Sequence, residues 1–155
     1  MAVPMKFEEL LPLFAMNGTC EALEHTPPGL GTVPAQIIRK DQAWDVYFKW
    51  NTTGALNYIM SGKWHLRVLL EEMGVGETGL PPQYSQAVVN FVSAPNAYSY
   101  IMHIPANIVK PGVYKLVATI TMVGPSNVPG PIAGFGEGDM LQFYDGGPIS
   151  NPLQP

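Results

Sequence analysis

Alternation of apolar and polar residues recurs along the chain from residue 33 onward. In two stretches a tryptophan begins the apolar series: Trp44, Val46, Phe48 and Trp50 in the first, and Trp64, Leu66, Val68 and Leu70 in the second. Successive side chains of a strand point to opposite faces, so this period of two predicts half-buried β-strands. Similar series near residues 35–39, 87–91, 98–104, 114–122 and 140–144 bring the expected number to about seven.

Glycine and proline separate these stretches. The 155-residue chain contains 16 of each, and they concentrate between the alternating runs. Many short strands divided by such turns are typical of an antiparallel sandwich or barrel rather than of βαβ units. We therefore expect an all-β fold, an antiparallel sandwich of about seven strands.

One late strand carries a more specific signal. Pro111 and Gly112 form a turn directly before Tyr114, which stands near the start of the strand. A tyrosine in this place resembles the tyrosine corner of Greek-key sandwiches, in which its hydroxyl bonds to the chain a few residues upstream. The chain thus resembles immunoglobulin and fibronectin type III sandwiches in general terms, and this resemblance implies an immunoglobulin/fibronectin-like Greek key. The single cysteine excludes the disulfide of an antibody domain.

The sequence divides into three parts. Residues 1–32 are predicted to form an irregular or short-helical N-terminal arm, residues 33–145 the β-sandwich, and residues 146–155 a tail rich in proline and glycine. The arm packs on its own domain or docks on a neighbouring subunit. We identify its apolar residues as candidates for partner binding: Phe7, Leu10, Leu11, Leu13, Phe14 and Met16.

Charged residues are scarce, at 13 % of the chain against about 25 % in an average soluble domain. The net charge of −4 and the eight scattered basic residues argue against nucleic-acid binding. Residues 78–109 and 116–136 contain no Asp, Glu, Lys or Arg, yet their polar residues and prolines exclude membrane-spanning helices. Near the N-terminus, Glu8, Glu9 and Pro12 do not fit a secretory signal, so we expect a cytoplasmic protein.

No combination of residues predicts catalysis, a metal site or a cofactor. His65 and His103 fall opposite the apolar series of two strands, and would bind a transition metal with Glu71 or Asp45 if the strands were paired. Exposed sheet histidines are the favoured interpretation, because the usual spacing of metal ligands is missing. Cys20 is expected to be a buried or tolerated thiol rather than a nucleophile.

Two functions remain open. The first is a non-enzymatic structural or adaptor sandwich that contacts copies of itself or an assembly partner. The small number of charged residues supports this function. Leu69, Ile101 and Val117 support it as well, because they lie on strand faces that are expected to be exposed to solvent.

The alternative is a module that binds a carbohydrate or other small ligand. Tyr47, Tyr58 and Tyr84 would form its binding platform. Calcium would support the loops at Glu71, Glu72 and Glu77, or at Glu137 and Asp139.

Overall fold

The computed structural model describes residues 3–9, 12–26, 29–34 and 36–146. These form twelve strands: β1 (Val3–Pro4), β2 (Lys6–Glu9), β3 (Ala15–Thr26), β4 (Gly29–Pro34), β5 (Ile37–Arg39), β6 (Trp44–Thr53), β7 (Lys63–Glu72), β8 (Gly76–Thr78), β9 (Gln86–Asn90), β10 (Ala97–Ile104), β11 (Gly112–Val123) and β12 (Pro129–Tyr144). The fold is therefore all-β, as the alternation predicts. The predicted tail beyond residue 146 lies outside the described residues.

Two sheets form the sandwich. In the first, β1, β3, β6 and β10 are neighbours in that order, and β4 pairs with β3. In the second the order is β2, β12, β11, β7 and β8, with β5 beside β12 and β9 beside β7. Among its crossings between the sheets, the chain passes from β6 to β7, from β9 to β10 and from β10 to β11. The strands β3, β6, β7, β10, β11 and β12 thus occupy the places of A, B, C, E, F and G in an immunoglobulin-like Greek key.

The tyrosine corner is confirmed. Tyr114 is buried, and its hydroxyl donates a hydrogen bond of 2.8 Å to the carbonyl oxygen of Lys110. Burial, followed by the nearby carboxylate of Glu72, raises the pKa of the phenol above its usual value. The hydroxyl therefore stays protonated and able to donate at neutral pH.

The segment expected to be an arm is built into both sheets. β2 pairs with β12, whereas β1 and β3 belong to the opposite sheet. Where a short helix was one expectation, Lys6–Glu9 is extended. The structural reason is the packing of Phe7 on β12, where it pairs with Gly134. A Cβ atom on Gly134 would lie 2.1 Å from the Phe7 ring, so the phenyl group occupies the space that this glycine leaves free.

Within residues 3–9, 12–26, 29–34 and 36–146, helical structure is confined to short connections. They are the helix α1 (Pro82–Ser85) and two 3₁₀ turns, Ala55–Ile59 and Pro125–Asn127. None of the helices in the described parts of the chain has the length and apolar character needed to span a membrane.

The outward faces differ in part from expectation. Ile101 is exposed and Leu69 is half-buried, but Val117 is only 6 % exposed. Val117 stands opposite Leu69 on one side and Glu137 on the other, next to a register shift in β11. Because neighbouring residues cover its isopropyl group, the expectation that Val117 is exposed to solvent is wrong.

Candidate functional site

The loops at one end of the sandwich carry no formal charge, and the exposed Lys63, at the start of β7, borders them. Four connections meet there, at residues 12–14, 54–62, 91–96 and 124–128, and none contains Asp, Glu, Lys, Arg or His. Each connection presents at least one large apolar side chain to solvent: Leu13, Tyr58, Ile59, Val92 and Val128. We call these four segments the charge-free end. Grouped exposed apolar side chains of this kind mark interaction sites.

Hydrogen bonds tie three of the four segments, 12–14, 54–62 and 91–96, to one another, and the fourth is closed by a bond from the Gly124 amide to the Val128 carbonyl. The Leu56 amide donates to the Leu13 carbonyl at 3.1 Å, and the Phe91 amide donates to the Gly62 carbonyl at 3.1 Å. The Ser93 hydroxyl donates to the Met60 carbonyl at 2.7 Å. These three loops are therefore held in one arrangement, as binding loops on a rigid scaffold usually are.

A cluster of aromatic rings lies directly beneath this end. Trp50 stacks on Tyr98 with ring centroids 5.2 Å apart, and Trp64 contacts Trp50, Tyr98 and Phe91. The Tyr98 hydroxyl accepts a hydrogen bond of 2.9 Å from the Val92 amide. This cluster joins the two sheets because Trp50 is on β6 and Trp64 on β7.

The backbone of the charge-free end is strained. Leu13 has a φ of 57° and Ser126 a φ of 63°, in the left-handed region that bulky residues rarely adopt. Such conformations cost about 1–3 kcal/mol each and concentrate at functional sites. Leu13 is 71 % exposed, so packing of its own side chain does not offset this cost.

The candidate partner-binding residues of the N-terminal segment are divided by the fold. Phe14 and Met16 are buried in the core, and Phe7 packs against it. Leu10 and Leu11 lie outside the described residues. Of the four that are described, only Leu13 stands on the surface, at the charge-free end. The structure therefore places most of the described part of this set against its own domain.

The three candidate ligand-binding tyrosines stand on separate elements. Tyr47 is half-buried on β6, Tyr58 is exposed on the first 3₁₀ turn, and Tyr84 is half-buried on α1 against the core.

The acidic loops likewise give no converging ligand set among the side chains described. Glu137 is engaged by Lys115, whose Nζ lies 2.9 Å from its carboxylate. The side chains of Glu77 and Asp139 lie outside the described residues.

A different group of polar side chains does converge, on the outer face of the first sheet. Asp45 is fully buried, and each carboxylate oxygen contacts one histidine: Oδ2 lies 3.0 Å from Nδ1 of His25, and Oδ1 lies 2.7 Å from Nδ1 of His103. The two imidazole centroids are 4.4 Å apart. Each residue offers one ligand atom to a metal ion, all within 4.8 Å of one another. We call this group the His–Asp–His cluster.

Strand register produces the cluster. His103 on β10 stands directly opposite Asp45 on β6. On the other side of β6, the His25 amide of β3 donates to the carbonyl of Ala43, two residues before Asp45. Three residues on the same face of three adjacent strands therefore meet.

The sequence hypothesis about histidines is thus partly corrected. His103 does meet Asp45, but His65 lies on β7 of the opposite sheet and is not brought to either. His25 takes its place. Weak alternation of Met16, Gly18, Cys20 and Ala22 with polar residues is the signal by which its strand could have been found.

Cys20 is a buried thiol, as expected. It is fully buried on β3, and burial raises its pKa to about 11. The reactive thiolate is therefore scarce in the folded protein at neutral pH.

We expect iodoacetamide to alkylate Cys20 at pH 8 at least about 100-fold more slowly in native protein than in urea, because a pKa raised by about two reduces the thiolate fraction about 100-fold. Mass spectrometry over time measures both rates, and native labelling within tenfold of the unfolded rate would contradict this burial.

Comparisons with known proteins give a distant structural similarity. No protein-family model matches the chain, and no curated protein matches it in sequence. Among solved structures, the chain is similar to the CARDB domain of a Pyrococcus furiosus protein in complex with di-metal ions. The TM-score is 0.45 and the identity 11 %, over 87 % of this chain and 97 % of that domain. This similarity is too distant to transfer a function.

Proposed function

We propose that the chain is a non-enzymatic structural or adaptor β-sandwich that acts through protein–protein contacts, and that its charge-free end binds a second copy of the chain. One observation carries the proposal: five large apolar side chains are exposed on four adjoining loops that contain no charged residue. Burial of apolar surface contributes about 25 cal/mol per Å².

The distribution of charge supports a second copy as the occupant. With a net charge of −4 on each copy, the long-range electrostatic interaction between two copies is repulsive, which disfavours contact through their acidic surfaces. None of the four segments contains a carboxylate or ammonium group, so contact through these segments alone avoids the usual penalty for burying charge. The exposed Lys63, at the start of β7, borders them, and a strongly basic partner would find no complementary carboxylate within the segments.

Pre-ordered loops further favour association. Loops that become ordered only on binding lose conformational entropy at that moment. Here hydrogen bonds and the aromatic cluster already fix residues 54–62 and 91–96. A larger share of the apolar burial is then available to stabilise the complex.

The test is a pair of charged substitutions at equally exposed positions. Ile59 is 81 % exposed at the charge-free end, and Val75 is 76 % exposed in the turn after β7, at the opposite end of that strand. We expect wild-type protein and Val75→Asp to sediment as dimers at micromolar concentration, and Ile59→Asp to weaken the dimer at least about tenfold, since interface centres depend on a few apolar anchors.

Val128→Asp provides a second variant at another loop of the same end, and we expect the same shift. Both positions are exposed, so the charge should leave folding intact; circular dichroism checks this. Equal sedimentation of Ile59→Asp and Val75→Asp would contradict the proposed surface.

A further inference from the structure

We propose that the His–Asp–His cluster is a binding site for a divalent transition-metal ion, of which Zn²⁺ is the test case. It lies apart from the charge-free end, because Asp45 stands at the beginning of β6 whereas Thr53, at its end, borders the loops described above. The two proposals therefore concern separate surfaces.

The chemistry of the cluster selects this class of ion. Two imidazoles and one carboxylate form a mixed nitrogen and oxygen set, which suits zinc and its neighbours. Calcium and magnesium favour sites built from many oxygen ligands, and the cluster contains a single carboxylate. The remaining coordination positions would be filled by water.

The geometry needs little change to accept an ion. Ligand atoms on one zinc ion lie about 3–4 Å apart, given metal–ligand distances near 2.1 Å. The corresponding atoms of the cluster are within 4.8 Å of one another, so small side-chain rotations complete the site. The backbone is already fixed by strand pairing on both sides of β6.

The cluster is both anchored and accessible. Asp45 is fully buried, which holds its carboxylate in one orientation. The side chains of His25 and His103 remain 27 % and 46 % exposed, so an ion can reach them from solvent. A bound ion would link β3 to β10, which are separated by β6 and share no backbone hydrogen bonds in the sheet order.

The experiment is calorimetric titration of the full, untagged chain with ZnCl₂ after treatment with a chelator. We expect one ion per chain, with a dissociation constant in the micromolar range or below, and a melting temperature that rises with zinc concentration. His103→Asn keeps an amide N–H near the position of Nδ1, and hence a donor for Asp45, but removes the imidazole. It should weaken zinc binding at least tenfold.

His65→Asn is the matched control because it removes a histidine from the other sheet. It should leave affinity and stoichiometry unchanged. CaCl₂ should give no comparable binding. The proposal is overturned if wild-type protein binds no zinc at submillimolar concentration, if His65→Asn weakens binding as much as His103→Asn, or if calcium binds as tightly as zinc. Circular dichroism of each variant verifies the fold.

Discussion

Gly54→Ala is expected to lower the free energy of unfolding by about 3 kcal/mol or more. Gly54 has a φ of 102°, and an added Cβ would lie 2.1 Å from the carbonyl oxygen of Leu13. With a ψ of 156° the residue lies in an extended positive-φ region that is essentially restricted to glycine and costs an alanine about 1–3 kcal/mol, and the clash with backbone cannot be relieved by a side-chain rotation. Urea denaturation measures the loss, which should accompany disorder of the charge-free end.

Gly74→Ala is the matched control. Gly74 also has a positive φ, 81°, but an added Cβ would meet no atom within 4 Å. Gly74→Ala should therefore lower the free energy of unfolding only by the cost of the backbone conformation, about 1 kcal/mol. This cost is partly offset because alanine also restricts the unfolded chain. Equal losses for the two variants would show that the contact between residues 13 and 54 is not as close as described.

Trp64→Ala should cost about 3–5 kcal/mol, the range for removal of a large buried aromatic side chain. Trp64 is fully buried on β7 and contacts Trp50 and Tyr98 of the opposite sheet. Its loss opens a cavity between the sheets, below the charge-free end. Urea denaturation checks the size of the effect, and Val75→Ala, at an exposed site outside the charge-free end, should remain within about 0.5 kcal/mol of wild type.

Trp64→Phe separates volume from hydrogen bonding. The indole Nε1 of Trp64 is buried and has no hydrogen-bond partner. Phenylalanine removes this unsatisfied donor together with part of the ring, so it should cost less than half as much as alanine. A loss equal to that of Trp64→Ala would contradict the account of this ring as a purely apolar link.

Strands of the sandwich were predictable from the sequence where one face is buried and the other is exposed to solvent. The series that begins at Trp44 and Trp64 alternates because the inner side chains fill the core, and the structure confirms both series. Tyr114 was predictable because its partner, Lys110, is only four residues away along the chain. Both features depend only on residues that are close together in the sequence.

The N-terminal strands depend on contacts that are distant in sequence. Phe7 lies in space left by Gly134, and no pattern around residue 7 reveals that glycine. β3 continues through Leu23, Glu24 and His25, where the alternation has already failed. Pairing with β6, rather than local preference, makes this segment extended.

The candidate sites show the same limit. Asp45 and His103 were both considered as ligands, but alternation does not say which sheet a strand joins. His65 was therefore a plausible partner until the register placed it on the other sheet. The sequence predicts only part of the charge-free end. Residues 91–96 and 124–128 lie in the two long stretches without charged residues, but residues 12–14 and 54–62 are brought next to them only by the fold.

The most direct test of the central claim is the mass of wild-type protein by light scattering at low and high salt. An interface without charge should not weaken when salt screens electrostatic interactions. We predict a mass near twice 16.9 kDa at about 100 µM protein, both at about 0.05 M and at about 1 M NaCl. A mass of one chain under both conditions, or a dimer that dissociates as salt is added, would contradict it.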